Sequence, residues 1–189
     1  MRLIRAADLV AVPWKNGGGV TREVAVQPPG AGFDGFDWRL SMADIATDGP
    51  FSRLPGVDRV LILMQGAGLV LDGVSPDAMA PGDRADFPGE AAVTGRLTAG
   101  PVRDLNLMLR RGRMVADVNL NPPDGPLALP WPEALVIVRE GVAQLGGQTL
   151  HRQDCAHFPP GHGAQVPLSG GARVIVIGLT PLFSTAPGR

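Results

Sequence analysis

Apolar and polar residues alternate along this chain in short runs, and Gly or Pro closes most of them. Period-two alternation with such punctuation predicts β-strands. The runs fall at residues 21–26, 38–43, 60–65, 68–71, 102–109, 134–139 and 174–179. No window carries a sustained apolar 3.6-residue period with caps, so the one helical expectation is a turn near residues 6–9. The chain reads as all-β. Two of the runs have faces of different character. Trp38, Leu40 and Met42 share one side, and Arg39 and Ser41 share the other. Asp104, Asn106 and Met108 likewise oppose Leu105, Leu107 and Leu109.

A long internal repeat is also legible. Arg59-Val60-Leu61-Ile62-Leu63-Met64-Gln65-Gly66 matches Ala134-Leu135-Val136-Ile137-Val138-Arg139-Glu140-Gly141. Downstream, Gly82-Asp83-Arg84-Ala85-Asp86-Phe87-Pro88-Gly89 matches Gln153-Asp154-Cys155-Ala156-His157-Phe158-Pro159-Pro160-Gly161. Each copy ends in an apolar strand. Two copies imply two similar β units. A strand, a Gly turn and then Asp-x-x-x-Phe-Pro is the layout of a cupin, a small double-sheet barrel related to the jelly roll. The expected fold is therefore a bicupin, with an N-terminal barrel at 1–110 and a degenerate C-terminal barrel at 111–189. Residues 110–131 are expected to cross between them.

Composition narrows the function. Of 189 residues, 44% are hydrophobic, enough to bury a core, while the net charge of −1 offers no basic field for nucleic acid or an anionic membrane. The lone Cys155 can form neither an internal disulfide nor a thiolate zinc site. Asp8 and Pro13 interrupt the start of the chain. No stretch approaches the ~20 apolar residues of a membrane helix. A soluble cytoplasmic protein is expected. Lys15 is the single lysine beside 16 arginines, so an ammonium there stands out against the rest of the chain.

Metal-binding cupins need imidazole and carboxylate ligands. Arg59 occupies the position, seven before Gly66, where their glutamate would stand, and residues 1–150 contain no histidine. A guanidinium there repels a cation and attracts an anion. His151, His157 and His162 fall in the second copy, out of step with the metal pattern, which would place its histidine nearer Ala164. No metal and no cofactor is expected. Pro13-Trp14-Lys15-Asn16-Gly17-Gly18-Gly19-Val20-Thr21-Arg22-Glu23 is the densest chemistry in the chain. Its glycines allow close backbone approach, and their amides suit an anion cradle, but it is neither a P-loop nor a dinucleotide fingerprint.

These segments, with Trp38-Arg39-Leu40-Ser41, Gly49-Pro50-Phe51-Ser52, Pro55-Gly56-Val57-Asp58-Arg59 and Asp104-Leu105-Asn106-Leu107-Met108, resemble the HutD/Ves family. The resemblance is densest over residues 12–110. It implies a bicupin fold and a link to bacterial histidine utilisation, with formylglutamate or urocanate as the ligand type and regulation as the role. The Ves branch implies a stress-related protein instead. The family brings no catalytic residues to carry over.

The expected function is non-catalytic binding of a small carboxylate metabolite. Its expected ligand set is Trp14, Lys15, Asn16, Arg22, Glu23, Trp38, Arg39, Ser41, Arg59, Asp104, Asn106 and Met108. Arginine would hold a carboxylate, Asn and Asp would meet amide or amine groups, and the aromatics would form walls. Two alternatives stay open. One is a metal-independent isomerase or lyase with Lys15 and Glu23 as acid and base. The other is an interaction module, with homodimer formation through the sheets.

Overall fold

The computed structural model describes residues 1–123, 125–163 and 165–182. Their only helix is a 3-10 turn at Ala6–Asp8; all other regular elements are strands. No helix among these residues is long and apolar enough to cross a membrane. The chain forms two compact units, Leu9–Gly112 and Met1–Asp8 with Arg113–Arg189.

In the first unit a six-stranded sheet runs in the order Ala11–Pro13, Gly19–Gln27, Trp38–Ile45, Val102–Arg110, Val57–Gln65, Arg84–Pro88. A four-stranded sheet runs Gly49–Pro50, Thr94–Leu97, Leu69–Asp72, Ser75–Met79. Every pairing is antiparallel. Leu61, Leu63, Leu69, Leu71, Phe87 and Val102 form the main core of this unit. Each fully buried side chain of this size contributes about 1.5–3 kcal/mol. A smaller cluster of Phe36, Val57 and Met108 adds to it.

The second unit repeats the plan. Its large sheet runs Arg2–Ile4, Cys155–Phe158, Glu133–Glu140, Arg173–Pro181, Met114–Asn119, and smaller sheets of three and two strands complete it. The repeat seen in the sequence is structural. Gly66 and Gly141 both turn at positive φ, +112° and +78°. Gly82 (φ +102°) has its counterpart in Gln153, a non-glycine residue at φ +70°. The following aspartates cap the same turn: Asp83 accepts from the Ala80 amide at 2.7 Å, and Asp154 from the His151 amide at 2.9 Å.

Two expectations about domain organisation change. Residues 1–8 group with the second unit rather than the first. Arg2–Ile4 adds an edge strand to Cys155–Phe158, and Asp154 accepts hydrogen bonds from Arg5 Nη1 (2.7 Å) and the Ala6 amide (2.9 Å). The stretch expected to be a crossing contains the strand Met114–Asn119, which pairs along Arg173–Pro181. The boundary therefore lies at Gly112/Arg113.

Candidate functional site

Antiparallel register collects the polar residues of the first unit onto one sheet face. Met108 pairs with Arg39 on one side and Arg59 on the other. The next same-face rung joins Glu23, Ser41, Asn106 and Leu61, and the one after it joins Thr21, Ala43, Asp104 and Leu63. Leu61 and Leu63 belong to the main core of this unit, so this face looks into the barrel. Polar groups from four strands thus converge among apolar neighbours, the usual form of a small-ligand site.

Arg59 is 4% exposed and its guanidinium lies between the rings of Phe51 and Phe87, 5.1 and 5.0 Å from their centroids. Cation–π attraction helps to hold a charge that has lost most of its water. Burial lowers its pKa to about 10, opposed by the negative charge of Asp104, so Arg59 remains a cation at neutral pH. One long contact, 3.5 Å from Nη1 to the Ser52 carbonyl, is its hydrogen bond to the fold. Nε has no partner.

Asp104 is fully buried. Burial pushes its carboxyl up to about 7, against the pull of the Arg59 charge and of the Ala43 backbone. Neither Asp104 oxygen meets a hydrogen-bond donor at bonding geometry among the described residues, and neither does Oδ1 of Asn106, 5% exposed. Buried polar groups in folded proteins are normally bonded, and each orphan costs about 1–3 kcal/mol. Four such atoms on one barrel face mark the candidate site.

Around them, Arg39 donates from Nε to Glu23 at 2.8 Å and stacks under Phe33 at 4.6 Å. Trp14 donates from Nε1 to the Thr21 hydroxyl at 2.8 Å, which ties the indole to the polar face. Gly19 makes this possible: a Cβ there would lie 2.3 Å from the Asp44 carbonyl oxygen and 3.3 Å from the Trp14 ring.

Other residues of the expected set stand elsewhere. Trp38 is fully buried on the opposite face, opposite Leu109, because adjacent residues of a strand point apart. Arg22 also faces away, next to Glu23 in sequence, and its Nη1 pairs with Asp44 at 2.5 Å, where Arg103 joins them. Lys15 and Asn16 are exposed on the hairpin turn. The Asn16 side-chain oxygen accepts from the Gly18 amide, and the Gly17 amide donates to the Trp14 carbonyl. The glycine run therefore spends two of its three amides on closing its own turn rather than on an anion. Of the expected acid and base, Lys15 is exposed on the turn and Glu23 accepts from Arg39. Sequence reasoning missed Thr21, Phe33, Phe51 and Phe87; Phe51 and Phe87 sat inside quoted motifs as aromatic positions with no assigned role.

The second barrel shows what this face becomes without polar groups. The pairs Arg59–Met108, Leu61–Asn106 and Leu63–Asp104 correspond to Ala134–Gly178, Val136–Val176 and Val138–Val174. None of these six second-barrel residues is polar; the polar residues on the same rungs, Asp117 and Asn119, lie exposed on the edge strand. At Gly178 a Cβ would fall 1.9 Å from the indole of Trp131, so the ring occupies the space a side chain would need. Among the described residues no group of three or more His, Cys, Asp or Glu is arranged to hold a metal; Ala164 lies outside them. His157 contacts Glu133 at 2.6 Å, and His162 stands edge-on to Phe158.

A family model described as HutD matches residues 6–176. A solved structure of HutD from Pseudomonas fluorescens SBW25 is 35% identical, covers 95% of this chain and 98% of its own, and superposes with a TM-score of 0.84. A conserved protein of unknown function from Pseudomonas aeruginosa PAO1 is 31% identical over 95% and 98% of the two chains, with a TM-score of 0.83. A cupin 2 conserved barrel domain protein from Leptotrichia buccalis, 12% identical with a TM-score of 0.56 over 94% and 95%, shares the fold. An uncharacterised 21.2 kDa protein from the hutC 3′ region of Pseudomonas putida is 44% identical over 110 residues, 57% of either chain. Protein Ves of Citrobacter koseri is 39% identical over 110 residues, 57% of this chain and 56% of its own. The match thus spans little more than half the length of these two relatives.

Proposed function

The chain belongs to the HutD family, and we propose that it binds a small carboxylate metabolite in its first barrel, of the formylglutamate or urocanate type, and thereby regulates histidine utilisation. One observation carries this reading: the buried Arg59 cation and the orphaned atoms of Asp104 and Asn106 share one barrel face. A guanidinium with a free N–H recognises a carboxylate. Unpaired acceptors beside it suit the formamide N–H of formylglutamate or the imidazole N–H of urocanate. The second barrel sets the contrast, since the same fold carries buried valines at the positions of Asn106 and Asp104. The P. putida relative's place beside hutC supports the metabolic context.

Calorimetric titration with formylglutamate, urocanate, glutamate and histidine tests the proposal, repeated on Arg59→Met. Saturable binding of formylglutamate or urocanate, weakened about 10–100-fold in the variant, is the expected result. Binding that is unchanged in a folded Arg59→Met protein would remove the barrel from the account.

A further inference from the structure

Resting on that reading, we infer that Asp104 and Asn106 set the specificity of the site: it accepts carboxylates that also carry an N–H donor and discriminates against plain dicarboxylates. The orphaned atoms are unbalanced. Among the described residues, the unpaired polar atoms sealed from solvent on this face are one donor, Arg59 Nε, and, once Asp104 is ionised, three acceptors: Asp104 Oδ1, Asp104 Oδ2 and Asn106 Oδ1. A ligand that completes the face must bring more than oxygen atoms. The groups are also ordered. Arg59 stands on the Met108 rung, Asn106 on the next, and Asp104 on the one beyond. A carboxylate held at Arg59 places the body of the ligand along the Asn106 rung toward Asp104.

A second ligand carboxylate set against Asp104 puts two acid groups together in a water-poor space. They tolerate each other only if Asp104 is protonated, which above about pH 7 means that a proton is taken up. An N–H ligand needs none, because it donates to the acceptors already waiting. A site built to hydrogen-bond a ligand group rejects the analogue that lacks it, since its own buried groups then stay unpaired. Asn106 acts with Asp104 here: its amide oxygen can receive a donor but cannot neutralise an acid.

Formylglutamate and glutarate form the deciding pair, for they differ only in the formamido group. Calorimetry on the full chain is expected to show formylglutamate binding at least tenfold more tightly than glutarate. At about pH 8, where Asp104 has lost its own proton, glutarate binding, where measurable, should take one up, read from its heat in buffers of different ionisation enthalpy. Asp104→Asn and Asn106→Leu, each checked for folding by circular dichroism, should narrow the preference to less than threefold. Equal affinity of the wild-type protein for both ligands overturns the inference and leaves the carboxylate site standing. A preference that survives both substitutions overturns the role given to these residues. If neither ligand, nor urocanate, binds the folded wild-type protein, the proposed function falls and the specificity with it.

Discussion

Arg59 and Asp104 are buried on one face of the same sheet, two rungs apart on adjacent strands, and no hydrogen bond joins them. Each still feels the other: Asp104 supports the charge of Arg59, and Arg59 restrains the rise of the Asp104 pKa. A buried pair kept for stability alone would close into a bonded salt bridge, and apolar replacement often does as well. Ala134 and Val174 make that replacement in the second barrel. The open pair therefore reads as a cost to stability that a ligand offsets.

The first prediction follows from Asp104. Its carboxyl holds a proton up to about pH 7 in the folded protein, against an ordinary value of 3.8. Between those values the folded state keeps a proton that the unfolded state has lost. Stability contributed by this group therefore falls as pH rises from about 4 to about 7, then levels off. Arg59 stays charged through that window, and Asp44 stays ionised through the Arg103 hydrogen bond and its pairing with Arg22. Asp104→Asn should remove the slope, so its melting temperature gains on the wild type between pH 5 and pH 8. Parallel profiles across that range would show that Asp104 is not the group responsible.

Gly19 supplies a second. A Cβ there meets the Asp44 carbonyl oxygen at 2.3 Å, and backbone cannot swing aside as a flexible side chain can. Gly19→Ala should cost about 1–3 kcal/mol in chemical denaturation. It should also change tryptophan fluorescence, through displacement of Trp14. Gly35→Ala is the control, since its nearest neighbour would be Ala31 Cβ at 4.0 Å. Equal stability of the two variants would contradict the packing described.

How far the sequence could be read depended on period two. Residues 38–43 and 102–109 announced strands because a strand with one polar and one apolar face must alternate. The same rule already barred Trp38 from the side of Arg39, and Arg22 from the side of Glu23. An inventory of chemically attractive residues ignored it, and the structure restored it. Edge strands were harder to see. Ser75–Met79 carries Pro76 and three exposed residues in a row, so it had no face to betray it, and Met114–Asn119 is an edge strand whose alternation sets small Ala116 and Val118 against exposed Val115, Asp117 and Asn119. The bracketing of Arg59 joins Phe87, its partner on the adjacent strand, to Phe51 from a loop, and such long-range contacts leave no local periodicity.

Asp154 gives the third prediction. Its side chain accepts from Arg5, the Ala6 amide and the His151 amide, and thereby fastens the first residues to the second unit. Asp154→Ala leaves two backbone amides unpaired and should cost about 2–4 kcal/mol. Amide exchange is the sharper readout. Exchange at residues 2–6 should accelerate more than global destabilisation explains, because the Arg2–Ile4 edge strand loses its anchor. Uniform acceleration across the second unit would mean that the anchor is not local.

The fourth prediction tests whether Trp131 fills the second barrel in place of a ligand site. Gly178 takes the position that Met108 holds in the first barrel, and the indole of Trp131 lies where its side chain would begin. Gly178→Ala alone should destabilise by about 1–3 kcal/mol, through overpacking against a ring that the surrounding core holds in place. Trp131 is only partly buried, so Trp131→Ala alone should cost less than the roughly 3–5 kcal/mol of a fully buried ring. In the double variant the methyl enters the space the ring has left, so adding Gly178→Ala to Trp131→Ala should cost less than about 0.5 kcal/mol. A double-mutant cycle by urea denaturation measures the difference as a coupling energy. Strong coupling ties the missing side chain at 178 to the presence of the ring at 131, so the second barrel has exchanged its pocket for core. Additive costs would separate the two changes, and the second barrel would then have lost its polar face for a reason unconnected with Trp131.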